Sequence, residues 1–596
     1  MNHWFDIDPS RLEFELEWLD WAGFPYSILD DGRESGFLTL SVTYPDPDHE
    51  DAGFQGHPLT VTFPPNYPAF PFRILAPTFP RGTHVNPAHE LCLLENPGDS
   101  WNGSRDFLVA FLNKQVKDIL RAHRGDDTVL EAQEGLRQTG YVNYSALSFM
   151  VTGDWVIPPG VKRGYLSWKV LPSANIPHYV RGCVAQIQSE TGDSLGDLSM
   201  GVHWDGQLRG IPDIAGRWLR LETIPNDPND ILKEAREEWP GLEKTIGVPD
   251  LIGLLIPEEK NTADDILYNW VFITRMLVPM LVAQAPQAPQ AFQITTDLAT
   301  SVIRAEQFSP ETRWARTPRT QYLESKKAVV VGLGAIGSPL AWQLARSGIG
   351  ELVCVDCDSV QIGNIPRWLY GFSALGDRKA ACIANNLQQQ YPPLRATSID
   401  YKVGVAEAST AVPYEQFLAS IASADIVIDA TAEVSINRYL ESLAREHGIP
   451  YVWAYASNGG WGGVVGRSIP GATLGCYECF QYHMIDAVNA RAAGAPVPDG
   501  GIDLPPAEDK PDVQPVGCFH PTFRGTGFDL DQVSQLAARL AVATLGRDAP
   551  DEDKYQDFTW DIAVLSQWDP TSDQPTVPNW KTHSLDRHQS CQHHDD

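Results

Sequence analysis

The chain has 596 residues, 43% of them hydrophobic and 20% charged, with a formal net charge of −31. That length suits three or more domains with substantial cores, and the acidity argues against a broad nucleic-acid surface because phosphates repel an acidic field. Nine cysteines are too few for a disulfide scaffold and predict a reducing, cytoplasmic setting.

The opening MNHWFDIDPSRLEF has no basic region leading into an apolar run, so no signal peptide is expected. Residues 1–150 read as an α+β domain. An amphipathic helix spans Arg11 to Gly23. Three short strands with turn signals between them, 37–45, 59–65 and 72–77, predict a meander, and a later helix covers 105–123. Residues 151–310 read as a middle α+β region of unassigned role. Strands are expected at 163–171 and 217–224, and a capped helix at 227–239. The apolar stretch from Asn269 to Ala285 reads as helical. Arg275 and Pro279 interrupt it, so no membrane span is expected. The Pro/Gln/Ala segment from Ala283 to Phe292 looks like a linker to the C-terminal region. In 311–596 apolar runs at 328–332, 351–356, 426–431 and 451–456 alternate with helical patterns. That alternation predicts a doubly wound parallel sheet.

The first of these runs ends in Gly332, Gly334 and Gly337. Gly332 permits a tight turn, Gly334 lets backbone approach a phosphate, and Gly337 lets the next helix pack on the strand. The helix start offers free N–H groups and a favourable dipole for an anion. Asp356 ends the next run, where such folds place an acid on ribose hydroxyls. The glycines alone would equally suit a nicotinamide enzyme. The polar, partly cationic set downstream, Asp358, Asn364, Arg367 and Lys379, suits ATP phosphates instead.

The combined pattern G-x-G-x-x-G, D-x-D, N-x-x-R, G-x-x-K resembles the ThiF/MoeB family and the adenylation domains of ubiquitin-activating enzymes. Those enzymes adenylate the C-terminal carboxylate of a small protein. The resemblance implies a Rossmann-like domain binding ATP with Mg²⁺, Asp356 on the ribose, and Asn364, Arg367 and Lys379 on the triphosphate. It also implies a homodimer. The family's D-C-T-D pattern stands here as IDATAEV, with Asp429 in the first acidic position and Ala432 in the second. Mg²⁺ is then held by Asp429, by another acid such as Glu433, or mostly through the phosphates. Asp429 also reads as a strand-end residue supporting a turn.

Cys476 and Cys479 form a C-x-x-C pair, and Cys591 and His594 a C-x-x-H pair. Together they suit a closed, structural tetrahedral Zn²⁺ site, with His588 and His593 as competing ligands. Cys518 precedes an Ala-rich helical segment. It resembles the thioester cysteine of noncanonical activating enzymes, where a thiolate displaces AMP from an acyl-adenylate. Cys183, Cys354, Cys357 and Cys382 read as core.

The N-terminal stretch carries Tyr67, Pro68 and Pro71, then His84 and Asn86, Cys92, and Trp101. This resembles ubiquitin-conjugating enzymes. The resemblance implies that Cys92 carries an acyl thioester and that Asn86 stabilises the oxyanion when an amine attacks. An activating and a conjugating module in one chain resemble the fusion proteins of bacterial type II CBASS antiphage operons. That implies a cGAS/DncV-like nucleotidyltransferase as the protein whose C-terminus is activated, and a lysine-bearing acceptor. Two alternatives stay open. One is a sulfur-carrier adenylyltransferase, which gives Cys92 no task. The other is a scaffold with a degenerate nucleotide site, for which Ala432 speaks.

Overall fold

The computed structural model describes residues 3–46, 54–79, 85, 89–94, 100–123, 149–171, 181–222, 250–257, 268–283, 292–404, 411–498, 500–502, 512–513, 521–523, 525–550, 552–569, 571–572 and 574–594. Two compact units emerge. One comprises 1–198 and 211–308, the other 199–210 and 309–596.

In the first unit, a helix spans Pro9–Ala22. Asp8 caps it by accepting the Arg11 N–H, Pro9 occupies the first turn, and Gly23 at φ 75° ends it. Strands Leu38–Tyr44, His57–Phe63 and Arg73–Leu75 form the expected meander. Tyr26–Asp30 adds a fourth antiparallel strand at its edge. Alternate residues of the two central strands are buried, as a half-covered sheet requires. A further helix runs from Leu108 to His123, with one π turn at Leu112–Val116.

In the middle stretch the described residues of this unit are strands and connections, and the helix Val202–Arg209 belongs to the second unit. Phe149–Thr152 pairs with both Phe292–Gln307 and Arg181–Ser189, which closes seven strands into a ring. Arg163–Val170 and Ile214–Arg220 are strands, as expected. The helix expected at 227–239 lies outside the described residues.

Two expectations are corrected here. Asn269 to Ala285 is not helical: Tyr268–Ala283 is a strand, paired residue by residue with Phe292–Gln307. Trp270, Val271, Phe272 and Ile273 are buried in its first half, and a strand accommodates such aromatic and β-branched residues well. Pro279 is tolerated because the strand Asp250–Pro257 pairs only as far as Arg275, so Pro279 is paired on one side among the described residues. The Ala283–Phe292 segment is not an interdomain linker. Its two ends pair with each other, so it joins two arms of a hairpin.

In the second unit, strands 395–399, 351–355, 327–331, 426–429 and 451–457 lie side by side and parallel, in that order. The sheet continues antiparallel through 462–468, 562–569 and 574–583. It is therefore mixed rather than wholly parallel. Along each central strand alternate residues enter different cores. Ala328, Val330, Leu352 and Cys354 pack on one face. Val329, Val331, Val353 and Val355 pack on the other. Both faces are covered, which explains the uninterrupted apolar runs. Strand order reverses at 327–331, and the loops that leave 327–331 and 426–429 meet there. Doubly wound folds bind ligands at this switch point.

Candidate functional site

The cavity at the switch point holds about 280 Å³. Gly334, Asn364, Arg367, Trp368, Lys379 and Thr431 line it, together with Ala335, Ile336, Ala430, Ala432, Ala456, Phe523 and Leu530. The three glycines have separate tasks. Gly332 stands at φ 84°, and a Cβ there would meet the Thr431 nitrogen at 2.8 Å. A Cβ on Gly337 would meet the Gly332 carbonyl oxygen at 1.8 Å. A Cβ on Gly334 would meet nothing within 4 Å, so this glycine leaves open space over the loop. The helix Gly337–Arg346 starts directly behind it.

Two cations reach the cavity. Lys379 opens the helix Lys379–Gln390 and its Nζ donates to Asp358 Oδ2 at 2.9 Å. Arg367 donates to the Phe523 carbonyl, and its guanidinium stands 5.8 Å from the centre of the Phe523 ring. No carboxylate partners Arg367 among the described residues, and burial pushes its pKa down. An anion beside it would offset that desolvation. Trp368 donates its indole N–H to Leu333 O at 2.7 Å, pinning the Arg367 segment to the glycine loop.

Asp356 holds this loop together. Its two carboxylate oxygens accept the Leu333 and Asp358 amides, each at 2.7 Å. Burial raises its pKa, and nearby Lys379 opposes that shift. Asp356, Asp358, Gly332 and Gly337 shape the site from behind its lining.

Asp429 requires a correction. It is fully buried and absent from the cavity wall. Its Oδ1 accepts the Thr431 amide at 2.8 Å and the Thr431 hydroxyl at 2.7 Å. Its Oδ2 accepts Asn437 Nδ2 at 2.6 Å and the Tyr451 hydroxyl at 3.1 Å. Four donors satisfy the carboxylate from within the fold, so it anchors a turn and does not face a cation. Ala432, at φ 60°, presents no ligand atom either. The Asp429–Ala432 pair therefore does not fit Mg²⁺ coordination.

Cys476, Cys479 and Cys591 converge although Cys591 lies far along the chain. Cys476 Sγ is 3.8 Å from Cys479 Sγ and 3.6 Å from Cys591 Sγ. Thiolates around tetrahedral zinc at a bond length of about 2.3 Å stand roughly 3.8 Å apart, so these three fit such a site. His588 is not a competing ligand. Its Nε2 lies 3.0 Å from Asp486 Oδ2, its Nδ1 accepts the Ser590 amide, and its own amide donates to Cys479 Sγ at 3.3 Å. It acts as a support around the sulfurs. His593 lies with Cys476 and Glu441 in a second such group. His594 closes the helical turn Gln592–His594. Cys183, Cys354 and Cys382 are buried as expected, whereas Cys357 is only half-buried, beside Asp356 and Asp358.

In the first unit, Cys92 is exposed on a second cavity of about 300 Å³. Its segment is fixed to the sheet, with the Leu91 amide donating to Ile74 O at 2.9 Å and the Ala76 amide to His89 O at 2.8 Å. Pro71 lines the same cavity. Tyr67 and Trp101 support it from the core. Tyr67 donates to the buried Glu15, which also accepts the Leu108 amide, and Trp101 donates to Pro68 O at 2.7 Å. His84, Asn86 and Cys518 lie outside the described residues.

The lining residues Thr431, Ala456, Phe523 and Leu530 escaped the sequence reading. They come from four separate segments, and only Thr431, at a strand end beside the switch point, carried a usable signal.

Residues 308–556 match the model of the ThiF family. The chain is 28% identical over 628 residues to the uncharacterized protein y4oA of Sinorhizobium fredii, covering 99% of this chain and 97% of that one. It is 27% identical over 184 residues to the sulfur carrier protein ThiS adenylyltransferase of Escherichia coli, covering 30% of this chain and 69% of that protein. It is 23% identical over 233 residues to the ATP-dependent ubiquitin transferase-like protein Cap2 of Enterobacter hormaechei, covering 38% of this chain and 34% of that protein. The second unit carries a ThiF/MoeB-type, ubiquitin-activating-like adenylation domain.

Proposed function

We propose that this ThiF-type domain adenylates the C-terminal carboxylate of a partner protein and that the chain then passes the acyl group through cysteines to an amine. The observation that carries the first step is the convergence of Arg367, Asn364 and Lys379 on one cavity beside the open space at Gly334. In that step a carboxylate oxygen attacks the α-phosphorus of ATP and pyrophosphate leaves. The two cations stabilise the charge that develops on the departing phosphates. Asp429 is committed to four internal donors, so it would not be a ligand of a Mg²⁺ accompanying the nucleotide, which would supply further charge stabilisation to the phosphates.

Cys518 then displaces AMP and holds the acyl group as a thioester. Cys92 receives it by transthiolation, and a lysine amine releases it as an amide with Asn86 on the oxyanion. The exposure of Cys92 beside a cavity supports its role. The roles of Cys518 and Asn86 rest on the sequence motifs. Carrying both stations on one chain raises their effective concentration. By resemblance, the activated partner is a cGAS/DncV-like nucleotidyltransferase in antiphage defence, and the enzyme is a cytoplasmic homodimer. Cys476, Cys479 and Cys591 hold a structural Zn²⁺, which their sulfur spacing supports; the C-x-x-H motif offers His594 as the fourth ligand, and His593, grouped with Cys476 and Glu441, is its competitor.

The test combines pyrophosphate exchange with intact-mass analysis on ATP, Mg²⁺ and a cGAS/DncV-like nucleotidyltransferase. A thiol-labile adduct of the partner's mass is expected. Cys92→Ala should keep exchange and abolish amide-linked products. Undiminished products in that variant would remove Cys92 from the relay. The likeness to the ThiS adenylyltransferase favours a second reading, activation of a sulfur carrier. Formation of a carrier thiocarboxylate, unaffected by Cys92→Ala, would select it.

A further inference from the structure

Four polar side chains lie buried behind the wall of the switch-point cavity. Asp429, Asn437, Tyr451 and Tyr477 are each at most 2% exposed. Burying such groups is costly unless they are hydrogen-bonded, so their partners define one arrangement. Asn437 stands in the helix Val434–Glu446, which starts just beyond Ala432 of the cavity wall. Its Nδ2 donates to Asp429 Oδ2 at 2.6 Å, and its Oδ1 accepts the Tyr477 hydroxyl at 2.8 Å. A carboxylate only accepts, so the amide cannot exchange these two partners. Asp429 in turn accepts the amide and the hydroxyl of Thr431, a lining residue. The Thr431 backbone lies against the glycine loop, where a Cβ on Gly332 would meet its nitrogen at 2.8 Å. At the other end of this line, Tyr477 sits between Cys476 and Cys479 in the chain. Its ring packs edge-on against the fully buried Trp453, with centroids 5.2 Å apart. The next residue, Glu478, accepts Arg438 Nε at 2.7 Å and Nη2 at 3.2 Å. Both residues between the two cysteines therefore grip consecutive residues of the helix that begins at the cavity wall.

We propose that Tyr477 and Asn437 are positioning residues that couple the cysteine cluster to the switch-point cavity, so that nucleotide and zinc each tighten the other's binding. The inference rests on the cavity being the ATP site and the cysteines a zinc site. Thiolates of Cys476 and Cys479 drawn onto one metal ion fix the segment that carries Tyr477. The Tyr477 hydroxyl then holds Asn437, Asn437 holds Asp429, and Thr431 stays seated on the glycine loop. A wall that is already ordered costs less to order when ATP binds, which gives the coupling its positive sign. Linkage makes the effect reciprocal.

The test uses the full zinc-loaded chain and a colorimetric zinc chelator, titrated with and without saturating ATP. Free zinc in the same two solutions corrects for metal held by ATP itself, and calorimetric titration checks that each variant binds ATP. ATP is expected to raise the chelator concentration that removes half the zinc by about fivefold or more, the lower end of measured couplings between sites. Tyr477→Phe removes one hydroxyl and no sulfur, and should bring this protection to within about twofold of unity. Thr431→Val breaks the line at its other end and should do the same. Tyr451→Phe takes another donor from Asp429 but lies off the line to the cysteines, so it should keep the wild-type factor. General destabilisation does not imitate this pattern, because ATP would then protect the metal more by favouring the folded state. Wild-type protection in either Tyr477→Phe or Thr431→Val, or no protection in wild type while zinc and ATP both bind, would overturn the inference. A chain that binds no ATP removes the cavity reading, one that binds no zinc removes the cysteine reading, and the inference falls with either.

Discussion

Lys379 Nζ lies 2.9 Å from Asp358 Oδ2, and the two side chains differ widely in exposure, at 9% and 62%. The lysine is nearly buried at the cavity while its partner faces solvent. A well-solvated carboxylate is a weak competitor for a cation, so a triphosphate can take its place. Lys379→Ala is expected to lower pyrophosphate exchange by about 10²-fold or more, as loss of a preorganised charge donor does. Thermal stability should change little, because the carboxylate left behind is already solvated. A stable variant with unchanged exchange would remove Lys379 from the chemistry.

Gly334 and Gly337 should separate binding from folding. Gly334→Val places a side chain in open space above the loop, so the fold should persist while ATP binding is lost. Gly337→Ala drives a Cβ to 1.8 Å from a backbone oxygen and should lower the melting temperature by several degrees. Calorimetric titration with ATP and thermal melts of both variants check this. Equal loss of ATP binding and stability in both would contradict the division of labour.

Asp429→Asn should act on stability. Each carboxylate oxygen accepts two of the four donors, so an amide N–H₂ in place of either one would face two of them; the hydroxyl of the pair can turn to accept, and the N–H left facing it costs about 1–3 kcal/mol as a buried unsatisfied group. The Mg²⁺ concentration giving half-maximal exchange should stay at its wild-type value. A large rise in that concentration would restore Asp429 as a metal-binding acid.

Glu15 gives the N-terminal domain a defined pH dependence. Burial raises its carboxyl pKa above the ordinary 4.5, against the opposing pull of Tyr67, Leu108 and Arg11. A raised folded pKa means that the folded state binds the proton more tightly. The resulting stabilisation is complete below about pH 4.5 and is lost as pH climbs through the folded value. The stability difference between wild type and Glu15→Gln should therefore favour wild type most at low pH and shrink on going up. Hydrogen exchange of the helix beginning at Leu108, tracked from pH 4 upward in both proteins, measures it. A difference that grows with pH would reverse the assignment.

Zinc removal should destabilise the second unit. Chelation, or Cys591→Ser, is expected to lower its melting temperature, because binding energy at a structural zinc site is folding energy. Metal analysis of the purified chain should give about one zinc per chain. A metal-free protein with unaltered melting would leave the three cysteines as packing residues.

Much of the site is legible without any knowledge of contacts. Gly332, Gly334, Gly337 and Lys379 take the positions that backbone geometry and charge predict, because a tight turn, an open approach and a helix start are local requirements. The residues at 37–45 and 59–65 alternate, and they form half-covered strands. The helix beginning near Arg11 is bounded by Asp8, Pro9 and Gly23, which are local start and stop signals.

Tertiary pairing decided the rest. Tyr268–Ala283 is a strand because a second strand lies beside it, a fact its own pattern did not contain. Asp429 has the look of a ligand until its four donors, spread from Thr431 to Tyr451, are seen to close on it. Phe523, Ala456 and Leu530 reach the switch-point cavity from segments whose local patterns are silent about it. The sequence by itself determined where the backbone turns, which runs become the central strands of the second unit, and which charged groups gather at the switch-point cavity. Only the tertiary structure decided which acid is spent inside the fold and which thiols meet, because hydrogen-bond satisfaction and packing are settled between distant segments.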